Sequence, residues 1–159
     1  MAGYTYTNPV SLTPDYYYSV ITNAVGDTVS GASYNTTSLD TTGQVLKYRS
    51  QHLVRFDAEL KQERWFIGLS ARYQSALQNI DAAWLKFEQL GVVDWGLENW
   101  LYDHPKLPWI LDFRVGATLT DHHKMSLVVS NLTNAEYSIR PLAIEAPRLV
   151  NVVYTYEIH

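Results

Sequence analysis

The stretch LVRFDAELK, residues 53–61, alternates from its second residue onward between apolar and charged side chains. Its apolar residues are Val54, Phe56, Ala58 and Leu60, and its charged residues are Arg55, Asp57, Glu59 and Lys61. Successive side chains of a β-strand point to opposite faces of the sheet, so this period of two predicts a strand. In a soluble sandwich the apolar face is the core, whereas in a membrane barrel it contacts lipid and the charges face a lumen.

Five further segments predict strands in the same way. They are a short segment near the start with Tyr4 and Tyr6 on one side, and residues 65–73, 109–119, 124–131 and 150–158. The first segment ends before Asn8-Pro9, because proline has no N–H to donate to a neighbouring strand. The sequence therefore predicts an all-β fold of about six strands, in one domain that covers residues 1–159.

The connections between these strands alternate in length. Residues 62–64 and 120–123 are short and polar, which predicts two hairpins. The other three connections, roughly residues 10–48, 74–108 and 132–149, far exceed the usual median of about 4 to 6 residues. In an up-and-down antiparallel sheet this pattern places short turns at one end and long loops at the other, as in outer-membrane barrels.

The first two long connections differ in character. The first is rich in Ser, Thr, Asn, Gly and Tyr and is expected to be irregular, whereas the second contains DAAWLKFEQLG. There Asp81 can cap a short helix and Gly91 can end it. Large aromatic residues in both loops are candidate ligand-binding residues, which stack on a sugar or aromatic ligand or anchor a partner chain, or else pack the loops onto each other. They are Tyr16, Tyr17, Tyr18, Trp84, Trp95, Trp100 and Tyr102.

Composition excludes several classes of protein. The chain has 12 Lys and Arg against 16 Asp and Glu and no basic run, so nucleic acid is not an expected partner. It has no cysteine, which excludes a disulfide, a thiolate metal site and a cysteine nucleophile. Its start, MAGYTYTNPV, lacks a basic region followed by an apolar run, so no signal peptide is expected. The sequence contains no stretch of about 18 apolar residues, so a helix that spans a membrane is not expected.

The residues that often carry catalysis do not form a catalytic pattern. Asp121-His122-His123 occupies a tight turn without further ligands nearby in sequence, which favours a solvated turn over a metal site. The carboxylates of Asp57, Glu59 and Asp112 favour pairing with cations of a lumen over the acid pair of a glycosidase. Ser70 lies in mid-strand outside the frame of a nucleophile elbow. An enzyme, a metal site and a cofactor are therefore not expected.

Three features favour the membrane interpretation over the soluble one. The first is the asymmetry of the loops. The second is the aromatic residues near strand ends on the apolar faces, such as Trp65, Tyr73 and Trp109, which are typical of girdles at membrane interfaces. The third is the charges of both signs in mid-strand, such as Arg72 and Arg114, which suit a polar lumen. The open alternative is a soluble β-barrel or sandwich that binds a ligand.

Several long stretches resemble one known family. The runs LKYRSQHLVRFDAEL and IGLSARYQSALQNID, and residues 109–159, are similar to the C-terminal end of the barrel of TonB-dependent outer-membrane receptors, especially those of Bacteroidetes-like bacteria. Residues 130–137, SNLTNAEY, resemble the signature that precedes the last long loop of that family. Arg140-Pro141 together with residues 146–148 resembles the approach to its final strand.

The end of the chain resembles the family's C-terminal barrel signal, with one departure. Tyr154, Tyr156 and Ile158 keep the register of outward aromatic residues. Ile158 stands where the family usually has Phe, and His159 follows it. Recognition by barrel-assembly machinery is therefore expected to be altered unless His159 is foreign to the natural protein.

The resemblance implies a fold, a location and a function. It implies a segment of an antiparallel, up-and-down transmembrane β-barrel in the outer membrane of a Gram-negative bacterium. The whole receptor would be an active transporter for a scarce nutrient such as a ferric siderophore. Its implied partners are outer-membrane lipid, a small-molecule or nutrient ligand, and a TonB-like periplasmic energy-transducing protein.

The number of predicted strands implies one further partner. Receptors of this family have a plug and a barrel of about 22 strands. About six strands are predicted here, fewer than the roughly eight of the smallest closed membrane barrels. Another chain that supplies the plug and the rest of the barrel is therefore expected, as in a split or proteolysed receptor.

Overall fold

The computed structural model describes residues 1–158, so the predicted role of His159 lies outside the described residues. Most of the regular structure is β. The strands are β1 Ala2–Tyr6, β2 Ser19–Thr22, β3 Thr28–Ala32, β4 His52–Lys61, β5 Trp65–Gln74, β6 Ile110–Thr120, β7 His123–Ser130, β8 Ser138–Arg140, β9 Ala143–Ile144 and β10 Leu149–Tyr156. The α-helices are α1 Tyr34–Thr37, α2 Ala82–Gln89 and α3 Leu97–Asp103, and Thr42–Gln44 forms a 3-10 turn.

Six strands form one sheet in the order β1-β4-β5-β6-β7-β10. Every neighbouring pair is antiparallel, so the chain runs up and down through the sheet. The predicted strands and hairpins are confirmed, and β10 ends at Tyr156 rather than at the predicted Ile158. Strands β1 and β10 are its edges and do not pair with each other, so the described residues form an open sheet.

The long connections contain more structure than their composition predicts. The first connection holds the β2–β3 hairpin and α1, so the expectation of an irregular loop is wrong. Helix α2 is confirmed in the second connection, and Gly91 follows it with a φ of 68°. Asp81 lies at the N-cap position of α2, but its side chain forms no capping hydrogen bond. Helix α3 and the β8–β9 hairpin had no clear signal in the sequence.

The register of the sheet joins the apolar faces of its strands into one surface. Ala58 lies opposite Leu69, Leu69 opposite Phe113, Phe113 opposite Val129, and Val129 opposite Val150. In the rows of residues on either side of this one, the apolar side chains also lie on this face, because opposite residues of paired strands point to the same face of a sheet. The alternation that begins at Val54 therefore continues across the whole sheet, and we call this surface the apolar face.

Aromatic residues lie at both ends of the apolar face. At the end with the long loops, Tyr4 lies opposite Val54, Val54 lies opposite Tyr73, and the ring centroids of Tyr73 and Trp109 are 5.3 Å apart. At the end with the tight turns, Trp65 and Tyr154 belong to one row through Ala117 and Met125. The rows between these ends consist of aliphatic residues, Ala and Phe.

Within residues 1–158, no helix or second sheet packs extensively against either face of the six-stranded sheet. Many side chains of the apolar face are consequently exposed, among them Leu60 at 54% and Val152 at 61%. The buried apolar residues lie in the long loops or at the strand ends next to them. They are Tyr34, Ile80, Ala82, Leu97, Leu107, Ile110 and Val129. The core of the described structure is therefore at the loop end and not beneath the sheet.

The opposite, polar face of the sheet carries a charged cluster that spans three strands. Arg114 on β6 reaches across β5 to β4, where its Nη2 lies 3.0 Å from Asp57 Oδ1 and its Nε lies 3.1 Å from Glu59 Oε2. Its Nη1 also donates to Ser70 Oγ at 2.9 Å. Gly68 makes this reach possible, because a Cβ there would lie 2.6 Å from Arg114 Nε. The predicted cation pairing is thus confirmed for Asp57 and Glu59.

Replacing Gly68 by Ala is expected to lower the free energy of unfolding by about 1 to 3 kcal/mol. The added methyl group would push the guanidinium of Arg114 away from Asp57 and Glu59. Urea unfolding followed by circular dichroism measures the effect. Gly3→Ala is the matched control, because Gly3 also lies in a strand of the sheet and has nothing within 4 Å of the added Cβ. The control should be neutral or more stable by up to about 1 kcal/mol, and equal loss in the two variants would contradict the argument.

Candidate functional site: the loop end of the sheet

The three long connections, residues 7–51, 75–109 and 131–148, all leave the sheet at the same end. Most of the buried apolar residues lie in these connections. Loops placed on a rigid sheet commonly carry binding residues. The loop end is therefore the candidate functional site.

Asn79 joins the first connection to the second. Its side chain is buried, its Nδ2 donates to Tyr34 Oη at 3.0 Å and to the Val45 carbonyl at 2.8 Å, and its Oδ1 accepts from the Asp40 amide at 3.1 Å. The Asn79 carbonyl accepts from the Tyr48 amide at 2.9 Å. Nothing in the sequence pattern singled out Asn79, because one amide in a polar loop has no distinguishing spacing.

Asp81 makes a second link between the same two connections. Its carboxylate pairs with the ammonium of Lys47 and accepts a hydrogen bond from Tyr48 Oη, which in turn accepts from Trp84 Nε1 at 2.9 Å. Burial raises the pKa of Asp81, but the hydrogen bonds from Lys47 and Tyr48 together outweigh burial, so the pKa lies below its usual value. The pKa of Tyr48 is raised chiefly by burial and, to a smaller extent, by its hydrogen bond to Asp81. The use of the Asp81 side chain in this cluster explains why it does not cap α2.

The tyrosines of the first connection are exposed and only partly fixed. Tyr18 Oη lies 3.0 Å from Thr37 Oγ1. The ring of Tyr17 lies so close to Gly31 that a Cβ there would be 2.3 Å from it. Tyr16 and Tyr18 line an open cleft of about 360 Å³ within the first connection. These tyrosines therefore form one group of rings, on the first connection alone.

The tryptophans of the second connection form a different group. Trp84 and Trp95 meet edge to face with ring centroids 5.4 Å apart. Trp95 and Trp100 line one side of an open cleft of about 340 Å³, and the β8–β9 hairpin lines the other side with Leu142. Tyr102 is 85% exposed and lines neither this cleft nor that of the tyrosines. The structure thus places four of the seven predicted ligand-binding residues in two separate clefts, Tyr16 and Tyr18 in one and Trp95 and Trp100 in the other.

Asn131 and Asn134 shape the third connection. Both have left-handed backbone conformations, with φ of 50° and 54°, which asparagine tolerates better than most residues. The buried Asn131 side chain accepts from the Ala135 amide at 2.9 Å, and its own backbone amide donates to Asp112 Oδ1 at 2.8 Å. Asn134 Oδ1 accepts from the Arg148 amide at 2.9 Å. Asp112 thus holds a backbone turn rather than a cation.

The far end of the sheet holds the Asp121-His122-His123 turn and the end of β10. His123 Nδ1 lies 2.5 Å from Tyr154 Oη, and the ring centroids of His123 and Tyr156 are 5.0 Å apart. Tyr154 and Tyr156 are exposed on the apolar face, and Ile158 lies beyond the end of β10. No group of three or more His, Cys, Asp or Glu side chains in residues 1–158 is placed to hold a metal ion.

No family model, curated protein or solved structure matches this chain. Among the helices of residues 1–158, none has the length and apolar character needed to cross a membrane.

Replacing Asp81 by Asn is expected to destabilise the protein at neutral pH, because the change removes the charge that pairs with Lys47. Since folding lowers the pKa of Asp81, its contribution is fully present above the unfolded pKa of about 3.9 and disappears as the pH falls through the folded pKa. The difference in free energy of unfolding between wild type and variant should stay constant from about pH 7 to pH 5 and shrink below about pH 4.

Thermal unfolding of both proteins across this pH range measures that difference. Asp94→Asn is the matched control, because Asp94 lies in the same connection, is exposed and takes part in no ion pair among the described residues. It should change stability little at any pH. A difference for the Asp81 variant that persists unchanged at pH 3 would refute the role of the carboxylate charge.

Proposed function

We propose that this chain is a six-stranded segment of a transmembrane β-barrel in the outer membrane of a Gram-negative bacterium, within a TonB-dependent active transporter. The observation that carries the proposal is the uncovered apolar face of the sheet. The family resemblance of the sequence supplies the class of transporter. The ligand would be a scarce nutrient, such as a ferric siderophore, captured at the loop end.

The apolar face supports a lipid environment because no helix or second sheet of residues 1–158 packs extensively against it, although Val129, near the loop end of β7, is buried. Contiguous exposed apolar patches beyond a few hundred Å² are rare on soluble monomers and mark interfaces with proteins or membranes. Here the patch follows the register over all six strands, with Leu60, Leu69 and Val152 exposed along it. Acyl chains would remove this whole surface from water.

The spacing of the aromatic residues supports the same environment. Trp65 and Tyr73 lie eight residues apart on β5, which corresponds to about 26 Å along an extended strand. With the usual tilt of barrel strands by about 40°, the separation along the membrane normal is about 20 Å. That value approaches the height of about 25 Å of the apolar band of outer-membrane barrels.

The two free edges support the need for a partner chain. Strands β1 and β10 each present one side of their backbone without a neighbouring strand among the described residues. In hydrocarbon each unsatisfied backbone group costs several kcal/mol, so membrane barrels close on themselves. A partner that contributes the remaining strands and the plug would pair with both edges. The contact with a TonB-like energy-transducing protein would be made through that missing part.

The polar face and the loops support a transport role over a purely structural one. The cluster of Arg114, Asp57, Glu59 and Ser70 is suited to a lumen, because the charges satisfy each other within the sheet. The long connections lie together at one end, and two open clefts with aromatic walls lie there. These clefts would face the outside and receive the ligand.

Replacing Val152 by Arg tests the membrane position of the apolar face. An arginine facing lipid near the bilayer centre costs about 2 to 4 kcal/mol, so the variant should associate much less with phosphatidylcholine vesicles than wild type. Flotation of the refolded chain with vesicles on a density gradient measures this association. Asn151→Arg is the matched control, because Asn151 is the adjacent exposed residue of β10 and points to the polar face.

The alternative, a soluble ligand-binding protein, makes the opposite prediction. It requires that the chain fold in buffer without detergent as a stable monomer with a sharp unfolding transition. It also requires that the two arginine variants behave alike with vesicles. Either result would overturn the proposed function.

A further inference from the structure

Two arginines lie directly opposite each other on the polar face of the sheet. Arg55 on β4 is paired in register with Arg72 on β5, close to the loop end. Like charges that face each other across two strands destabilise a sheet, so a bound anion would stabilise this pair. Within residues 1–158 no carboxylate lies within 4 Å of either guanidinium.

The acidic residues of β4 that lie nearest to Arg55 form ion pairs with a different arginine. Asp57 and Glu59 both pair with Arg114, and Ser70 also donates to Asp57. The same face of the sheet thus holds one arginine with two carboxylates and two arginines without any. Both arginines are exposed and form no ion pair among the described residues, and the carboxylate that shares their cleft, that of Glu145, lies beyond ion-pair distance.

The two arginines line one wall of an open cleft of about 270 Å³. The remaining walls include Leu107 and Ile110 at the entrance to β6, and Tyr137 and Glu145 of the third connection. A cleft of this size approaches the lower limit of pockets that hold small molecules. It is distinct from the clefts lined by the tyrosines and the tryptophans.

The polar atoms of this cleft define the chemistry of a ligand. Arg72 Nη2 donates to Tyr137 Oη at 3.1 Å, which leaves the proton of the tyrosine hydroxyl able to donate to a further acceptor. Arginine binds carboxylates with two parallel hydrogen bonds. The side chain of Glu145 has no hydrogen-bond partner among the described residues and can accept from a hydroxyl.

We propose that this cleft binds a small hydroxycarboxylate. A carboxylate of the ligand lies between Arg55 and Arg72 and also accepts from Tyr137 Oη, and a hydroxyl of the ligand donates to Glu145. The inference deepens the proposed function, on which its role in nutrient capture rests. The cleft itself consists of residues of this chain alone.

Tartrate is the probe, and succinate is its analogue without hydroxyl groups. The full chain in detergent micelles is titrated with each anion, and the Nε–Hε resonances of its arginines are followed by nuclear magnetic resonance. The signals of Arg55 and Arg72 should shift and saturate with tartrate, whereas that of Arg64, in the tight turn at the other end of the sheet, should not. Succinate should bind several-fold more weakly, because it offers no donor to Glu145.

Substitutions separate the site from general attraction of anions. Arg72→Gln and Arg55→Gln should each weaken tartrate binding about tenfold or more, since each removes a charge-assisted hydrogen bond. Arg64→Gln should leave the affinity unchanged. Circular dichroism of each variant verifies that the sheet has formed.

Two outcomes would overturn the proposal. Shifts of all arginines that grow without saturation would indicate screening by an adventitious ion only. An absence of shifts in a correctly folded chain would show that the cleft does not bind a hydroxycarboxylate. Vesicle association of the Val152 and Asn151 variants is measured separately, so failure of tartrate binding with normal vesicle association overturns this inference and leaves the proposed function intact.

Discussion

The register of the six-stranded sheet is the constraint on which the rest of the structure depends. A shift of one residue in any pairing would move the side chains of that strand to the opposite face. As paired, Ala58, Leu69, Phe113 and Val129 form one apolar row, and Arg114 meets its carboxylates on the other face. Both the uncovered apolar surface and the charged cluster follow from this single arrangement of backbone hydrogen bonds.

The ion pairs on the polar face depend on a glycine, Gly68, in the middle strand of the cluster. Because Gly68 has no Cβ, the side chain of Arg114 crosses β5 and forms ion pairs with both Asp57 and Glu59. Arg55 and Arg72, nearer to the loops, form no ion pair among the described residues. A structural ion cluster and a candidate anion site therefore lie on the same face of the sheet.

The loop end gains its order from polar residues rather than from a large apolar core. Asn79 and Asp81 connect the first and second connections by hydrogen bonds and one ion pair, and Asn131 and Asn134 hold the third in its path. These links hold the first connection to the second, and the third connection to β6. They organise part of the loop end before any ligand binds, which lowers the entropic cost of binding.

The sequence by itself determined the six strands of the sheet, its two hairpins, its up-and-down order and helix α2, because a period of two and the turn signals are local properties of the chain. Only the tertiary structure decided which loop residues meet. Asn79 lies 45 positions along the sequence from Tyr34, and the partners of Asp81 lie 33 and 34 positions from it. No local sequence pattern therefore predicts these contacts. The same reason explains why Tyr16 and Tyr18 line a different cleft from Trp95 and Trp100 and why Arg55 and Arg72 form no ion pair among the described residues: such contacts depend on register and on the space around each side chain.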